Sequence, residues 1–333
     1  MIRRLPADRR VWSIATATLV ALLMTFALPG ALSANDVALT PDTAFLNQLA
    51  APTQLPLVPF APVTAPAQGG SALPATERAA LTERIEGIDA EHGAEFGIAV
   101  QDLRTGTTFS YNAHQRFPTA SVAKLTVLTM LLMRAEEEDR ELTTGERAQA
   151  ERMIRYSDNS VTDELYSRMG FTDGFLRHAG NLGFTDTEPH PGGSWGSTMT
   201  TPSDQVRLLR ALYTDEGPLS DDGRAYVRGL MEAVAPEQAW GVSAAAGPED
   251  TVGNKNGWTP RPSNGGLWNV NSVGYVSGPD HEYLIAVLSD GNSDYVTGVS
   301  LVEEVVAEVT EAIEGGLTAD APGAHDEAAL PTR

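Results

Sequence analysis

Residues 119–124 read Thr119-Ala-Ser-Val-Ala-Lys124, and the run Leu125-Thr-Val-Leu-Thr-Met-Leu-Leu-Met133 follows without a break. From Ser121 to Arg134 the pattern is apolar on nearly every face, as in a helix buried all round. It runs out into Glu136-Glu-Glu-Asp139, a solvated end. Ser121 and Lys124 stand three apart at the start of this helix, so their side chains share a face. Burial there lowers a lysine's proton affinity until the neutral amine can take a proton from serine. A helix N-terminus also presents N–H groups and a favourable dipole to a developing oxyanion. Of the 23 basic residues only two are lysine, and the second is Lys255 in Gly253-Asn-Lys-Asn-Gly-Trp258. Arginine stays charged and could not act as a neutral base, so the choice of lysine at these positions is informative.

Outward from this helix, the chain orders its elements in a telling way. Ala75 to Gly93 has helical spacing (Leu81, Ile85, Ile88) and closes on a glycine. Glu95–Val100 and Thr107–Tyr111 read as two strands joined at the Thr105-Gly106 turn. After the buried helix come further helical stretches at Gly145–Tyr156, Val161–Met169 and Pro202–Tyr213. Strands return at Asn269–Ser277 and Tyr283–Ser289, and an amphipathic helix closes the set from about Val299 to Ile313. This order predicts an α+β fold. Its antiparallel sheet is flanked by terminal helices, an all-helical domain is inserted between strands, and a site lies in the cleft between the parts.

The domain organisation expected is a leader at 1–34, a Pro/Ala-rich linker at 35–74, a folded domain at 75–316 and a disordered acidic tail at 317–333. The leader carries Arg3, Arg4, Arg9 and Arg10 before the uncharged run Val11–Leu28, with small residues up to Ala34 where a cut would fall. Uncleaved, the run is near the length of a membrane anchor, and Arg9-Arg10-Val11-Trp12 is similar to a twin-arginine signal. Either way the chain is expected to work outside the cytoplasm, secreted or at the cell envelope. A net charge of −21 without a basic stripe argues against nucleic acid as partner. There is no cysteine, hence no disulfide, thiol nucleophile or thiolate metal site. The six histidines lack zinc-binding spacing, so no metal is expected.

Two triplets strengthen the reading of Ser121 and Lys124. Ser157-Asp158-Asn159 interrupts a helical pattern, where a serine and an amide would project from a loop. Lys255-Asn256-Gly257 precedes Trp258, and its glycine would let substrate approach the backbone. The order S-x-x-K, S-x-N, K-x-G is that of penicillin-recognising serine acyltransferases.

With these motifs, and with Arg116-Phe-Pro-Thr119, Thr198–Tyr213 and Val252–Trp258, the chain resembles the class A β-lactamase family and its penicillin-binding relatives over roughly residues 76–314. The resemblance implies a three-layer α/β/α sandwich with about five strands. It implies Ser121 as the acylated nucleophile, Lys124 as general base and Ser157 as proton donor to the leaving nitrogen. Asn159 would hold the substrate amide and Lys124, and Lys255, Asn256, Gly257 and Trp258 would bind substrate. The N–H groups of Ser121 and Trp258 would form the oxyanion hole. No metal or organic cofactor is implied. The partner would be a small molecule, a β-lactam or a D-Ala-D-Ala-type peptide, met by a monomer.

The chain departs from the family's pattern at two places. Asn256 stands where the family usually carries Thr or Ser. The loop Thr187-Glu-Pro-His-Pro-Gly-Gly-Ser-Trp-Gly196 replaces E-x-x-L-N, which supplies the glutamate that frees the acyl-enzyme. Glu188 is then the candidate for that base. Turnover as a β-lactamase depends on such a group; without it the reading shifts to a D,D-carboxypeptidase or transpeptidase, or to a module that traps its ligand. A rival motif, Gly192-Gly-Ser-Trp-Gly196, matches G-x-S-x-G, with Asp280-His281 as its conceivable partners. That elbow needs a strand before it and a helix after it, and the flanks here carry prolines and threonines instead. Among the aromatics, Trp258 and Tyr156 are placed near the cleft by their neighbours, while for Trp240 and Trp268, which could also line a cleft, core packing is the commoner fate.

Overall fold

Alternate residues of the strand Glu282–Asn292 (β7) belong to two different cores, and this division sets the architecture. Leu284, Ala286 and Leu288 pack with the helical domain, whereas Tyr283, Ile285 and Val287 pack with the terminal helices. The computed structural model describes residues 73–319. The leader, the linker up to residue 72 and the tail beyond residue 319 lie outside the described residues.

The chain begins with α1 (Ala75–His92), which ends on Gly93 in the left-handed region at φ 63°. The hairpin β1 (Glu95–Asp102) and β2 (Thr108–Tyr111) follows, then the two-residue strand β3 (Phe117–Pro118) and a 3-10 turn at Ala120–Val122. The helical domain contains α2 (Ala123–Glu137), α3 (Thr144–Arg155), α4 (Asn159–Arg168), α5 (Phe171–Ala179), α6 (Pro202–Tyr213) and α7 (Asp221–Glu232). Ahead of α6, the short strand β4 (Met199–Thr200) pairs with β3. The chain then returns through β5 (Thr251–Pro260), β6 (Trp268–Ser277) and β7 to the long α8 (Tyr295–Ala319). The last helix is longer at both ends than the 299–313 expected.

The main sheet has five antiparallel strands in the order β2-β1-β7-β6-β5. Helices α1 and α8 cover one face and the helical domain the other, which gives the three-layer sandwich. As its all-round apolar pattern predicts, α2 is buried from Ala123 through Met133. Its neighbours start on side-chain caps. Thr143 and Glu146 form a reciprocal box at α3, Asp158 accepts from the amides of Ser160 and Val161 at α4, and Thr201 followed by Pro202 opens α6.

Helices α5 and α7 escape the sequence pattern, and so does the part of β5 ahead of Lys255. Helix α5 carries Gly174 in its middle, and a Cβ there would fall 1.8 Å from the Met169 carbonyl oxygen, so close packing demands the residue that weakens the helix signal. In α7, Gly223 also weakens the helix signal, although a Cβ there would first meet the movable end of the Glu136 side chain, at 2.7 Å. Strand β5 contains Gly253-Asn-Lys-Asn-Gly257, which has no apolar alternation although all five residues are buried.

Candidate active site

Edge strand β5 and the turn before α2 meet at Gly257. A Cβ added there would lie 2.7 Å from the amide nitrogens of Ser121 and Val122 and from the Thr119 carbonyl oxygen, so a side chain is excluded. The turn carrying Ser121 is held from three sides. Thr119 N–H donates to the Thr198 carbonyl (2.9 Å), and Asn271 Nδ2 donates to the carbonyls of Pro118 (2.9 Å) and Thr119 (3.1 Å). Asn269 Nδ2 adds a bond to Pro118 O at 2.9 Å. Ala120, beside the serine, is held at φ 44°, a conformation that costs a non-glycine residue and persists where surrounding contacts impose it.

Lys124 is wholly buried, and its Nζ donates to the Ser157 carbonyl (2.5 Å), Ser157 Oγ (3.1 Å) and Asn159 Oδ1 (2.6 Å). Ser157 lies between α3 and α4 at φ 56°, a second forced position. Lys255 reaches the same hydroxyl from β5, with Nζ 3.1 Å from Ser157 Oγ and 2.8 Å from the Asn256 carbonyl. Two amines thus converge on one serine. Burial pushes Lys124 down to about 8, against the opposing pull of Asp158 and Asp163. Lys255 is held well below the usual lysine range, chiefly by burial and then by the charge of Lys124.

Strand alternation sorts the rest of β5. Lys255, Gly257 and Thr259 share the face toward the Ser121 turn, and Thr259 lines the cleft, a placement that sequence reading missed. Asn256, expected among the substrate-binding groups, points the other way. Its Nδ2 donates to the carbonyls of Gln238 (2.9 Å) and Trp240 (3.0 Å), and its Oδ1 accepts from Ser272 Oγ (2.7 Å). This fully engaged amide offers the cleft no hydroxyl substitute. The ring of Trp258 packs against Trp240 and Tyr295 while the residue borders the cleft. Tyr156 is 53% exposed under Arg155 and does not line the cleft.

The cleft encloses about 370 Å³ between Ser121, Asn159, the loop Gly193–Ser197 and Thr259. Glu188 is not part of it. Its backbone pairs with Met199 (N–H to O 2.8 Å, and 2.9 Å in return), which turns the carboxylate outward, 69% exposed, to Arg116 at 3.0 Å. The carboxylate lining the cleft is that of Asp163, one helical turn after Asn159 on α4. Asp163 Oδ1 accepts from the Trp195 indole N–H at 2.7 Å, and the Trp195 ring lies 4.9 Å from Lys124 Nζ. Neither residue was singled out for chemistry from the sequence, although the i,i+4 relation of Asn159 and Asp163 puts them on one face.

The loop bearing Trp195 is anchored by Asp204 at the start of α6, another residue without a local signal. This wholly buried carboxylate accepts from Thr185 N–H (3.1 Å), Asp186 N–H (2.9 Å) and Thr187 Oγ1 (2.7 Å), and pairs with Arg207 at 2.5 Å. The G-x-S-x-G motif is a turn followed by a single 3-10 turn at Trp195–Ser197, and Ser194 Oγ bonds Ser197 Oγ at 2.9 Å. His281 pairs with Asp250 at 3.0 Å beside the β6–β7 turn and stacks on Tyr283, so the elbow reading has no strand, no helix and no base. Among the described residues no three His, Asp or Glu side chains gather to hold a metal ion.

A family model described as the beta-lactamase enzyme family matches residues 80–151 and 145–313. The chain belongs to the β-lactamase enzyme family. A curated relative named "Putative lipoprotein LppW" from Mycobacterium tuberculosis is 27% identical over 253 residues, 74% of this chain and 78% of the relative. Among solved structures, PBP-A superposes with a TM-score of 0.62 at 19% identity, over 74% of this chain and 98% of that one. A β-lactamase from Chitinophaga pinensis gives 0.61 at 17% identity, over 70% and 99%. The fold is therefore the β-lactamase and penicillin-binding type, shared at low identity.

Proposed function

We propose that the protein is an exported serine hydrolase that opens β-lactam amides through an acyl-enzyme on Ser121. The observation that carries this reading is the convergence of Lys124 and Lys255 on Ser157 Oγ beside the Ser121 turn. As an ammonium, Lys124 spends all three protons on Ser157 and Asn159 and has no lone pair. Once neutral, it keeps the bonds to the Ser157 carbonyl and to Asn159, and its lone pair accepts a proton from Ser121. The serine oxygen then attacks the lactam carbonyl. The oxyanion forms against the N–H groups of Ser121 and Trp258 at the β5 contact. The proton passes from Lys124 through Ser157 Oγ to the leaving nitrogen, and the C–N bond breaks. Asn159 holds the substrate amide. A substrate carboxylate meets Lys255 and the Thr259 hydroxyl; its charge favours a proton on Lys255, and a cation at Lys255 in turn opposes one on Lys124. Export rests on the basic, apolar leader and accords with a relative named as a lipoprotein.

One observation favours a second reading, a D,D-peptidase or penicillin-binding module with a long-lived acyl-enzyme. Glu188, the sequence candidate for the deacylating base, faces Arg116 at the surface. The test is to mix the purified chain with a chromogenic cephalosporin and with benzylpenicillin, and to follow colour and intact mass together. Catalytic colour without a lasting adduct supports hydrolysis, and a stable one-to-one adduct supports the second reading; both vanish in Ser121→Ala. If wild-type protein gives neither colour nor adduct, the Ser121 mechanism for lactams is wrong.

A further inference from the structure

We propose that Trp195 restrains release of the acyl group, by engaging Asp163, the carboxylate placed to activate the hydrolytic water. This inference rests on the second reading above, the long-lived acyl-enzyme on Ser121, and concerns only how that adduct is released. Three observations combine. Asp163 lines the same cleft as Ser121 and acts electrostatically on Lys124. The Trp195 indole N–H occupies Asp163 Oδ1 at 2.7 Å. The indole ring faces Lys124 Nζ at 4.9 Å, so one side chain touches both the carboxylate and the amine.

The indole is itself held in place. The Trp195 carbonyl accepts from Thr198 N–H (3.2 Å) and Thr119 Oγ1 (3.3 Å), which ties the loop to the nucleophile's turn. In the step proposed, a water oxygen adds to the acyl carbonyl carbon while one water proton passes to the Asp163 carboxylate. The tetrahedral adduct collapses, the bond from carbon to Ser121 Oγ breaks, and the proton held by Asp163 returns through Lys124 to Oγ. The products are a carboxylic acid and the free serine. With the indole seated, Asp163 has one oxygen engaged, so the adduct persists. With the indole displaced or its N–H removed, the carboxylate is free to act. Asp163 is thus a catalytic residue for deacylation, and Trp195 is a positioning residue acting through it.

The test separates the two halves of the reaction. Protein is labelled with benzylpenicillin, free drug is removed, and loss of the adduct is followed by intact mass for wild type, Trp195→Phe, Trp195→Met and Asp163→Asn, and for each Trp195 variant combined with Asp163→Asn. Acylation is timed independently, and melting curves identify any variant that fails to fold. The wild-type adduct is expected to persist, and the ratio of deacylation to acylation rate to rise at least about tenfold in Trp195→Phe or Trp195→Met. Asp163→Asn should abolish that rise. A rise that survives Asp163→Asn, or none in either folded Trp195 variant, overturns the proposal while leaving acylation at Ser121 standing. A wild-type adduct lost as fast as it forms overturns it too. No adduct and no turnover in wild type is the separate failure of the Ser121 reading.

Discussion

Lys124 illustrates how one residue's surroundings set its chemistry. Its amine is wholly buried, with Asp158 and Asp163 only partly offsetting the cost of its charge, and its pKa stands at about 8. In the proposed mechanism it is the neutral fraction that takes the Ser121 proton. Acylation should therefore rise about tenfold per pH unit below 8 and level off above it. Stopped-flow labelling with a penicillin between pH 6 and pH 9.5 reads this profile directly. A flat profile across that range would show that Lys124 does not supply the base. Lys124→Arg should lose acylation at every pH in the range, because guanidinium stays protonated. Asn256 teaches the complementary point. A residue can occupy a motif position and still serve the scaffold, here by bonding to the Gln238 and Trp240 carbonyls.

At the scale of elements, the site depends on how closely β5 approaches the turn before α2. Gly257 is the contact, and a methyl group there would sit 2.7 Å from backbone atoms of residues 119, 121 and 122, none of which can swing away as a side chain would. Gly257→Ala should thus push the strand off the turn, destabilise the fold by about 1–3 kcal/mol and slow acylation far more than that loss would suggest. Melting curves beside acylation rates decide it; a variant with wild-type acylation would show that the contact is not needed for chemistry. The same scale explains what sequence could and could not reveal. Helix α2 was legible because its apolar pattern wraps the whole cylinder, and the candidates Ser121, Lys124, Ser157 and Lys255 because each stands in a short motif of its own. Asp204, Asn269 and Asn271 were not, since their partners arrive from other elements: Asn271 meets Pro118 and Thr119 from about 150 positions away. Glu188 misled for the same reason, because its outward turn is set by pairing with Met199 on the far side of the loop.

For the whole molecule, the two buried amines make the site a cost to stability that the three layers must offset. Lys124 has a folded pKa of about 8 against an ordinary value of 10.5. Below pH 8 the amine is charged in both the folded and unfolded chain, and the folded state bears the full penalty of burying it. Between 8 and 10.5 the unfolded chain binds more protons than the folded one, so stability from this group rises with pH and the penalty fades. A shift of this size is worth on the order of 3 kcal/mol. Lys124→Met, similar in length and without charge, should therefore be more stable than wild type at pH 7, by less than that figure because Ser157 and Asn159 lose their bonds. Its melting temperature should exceed wild type's by a few degrees at pH 7, and the difference should shrink toward zero or reverse by pH 10, while acylation is lost throughout. A variant less stable than wild type at pH 7, or a difference that does not change with pH, would show that packing and hydrogen bonds around Lys124 outweigh the cost of its charge.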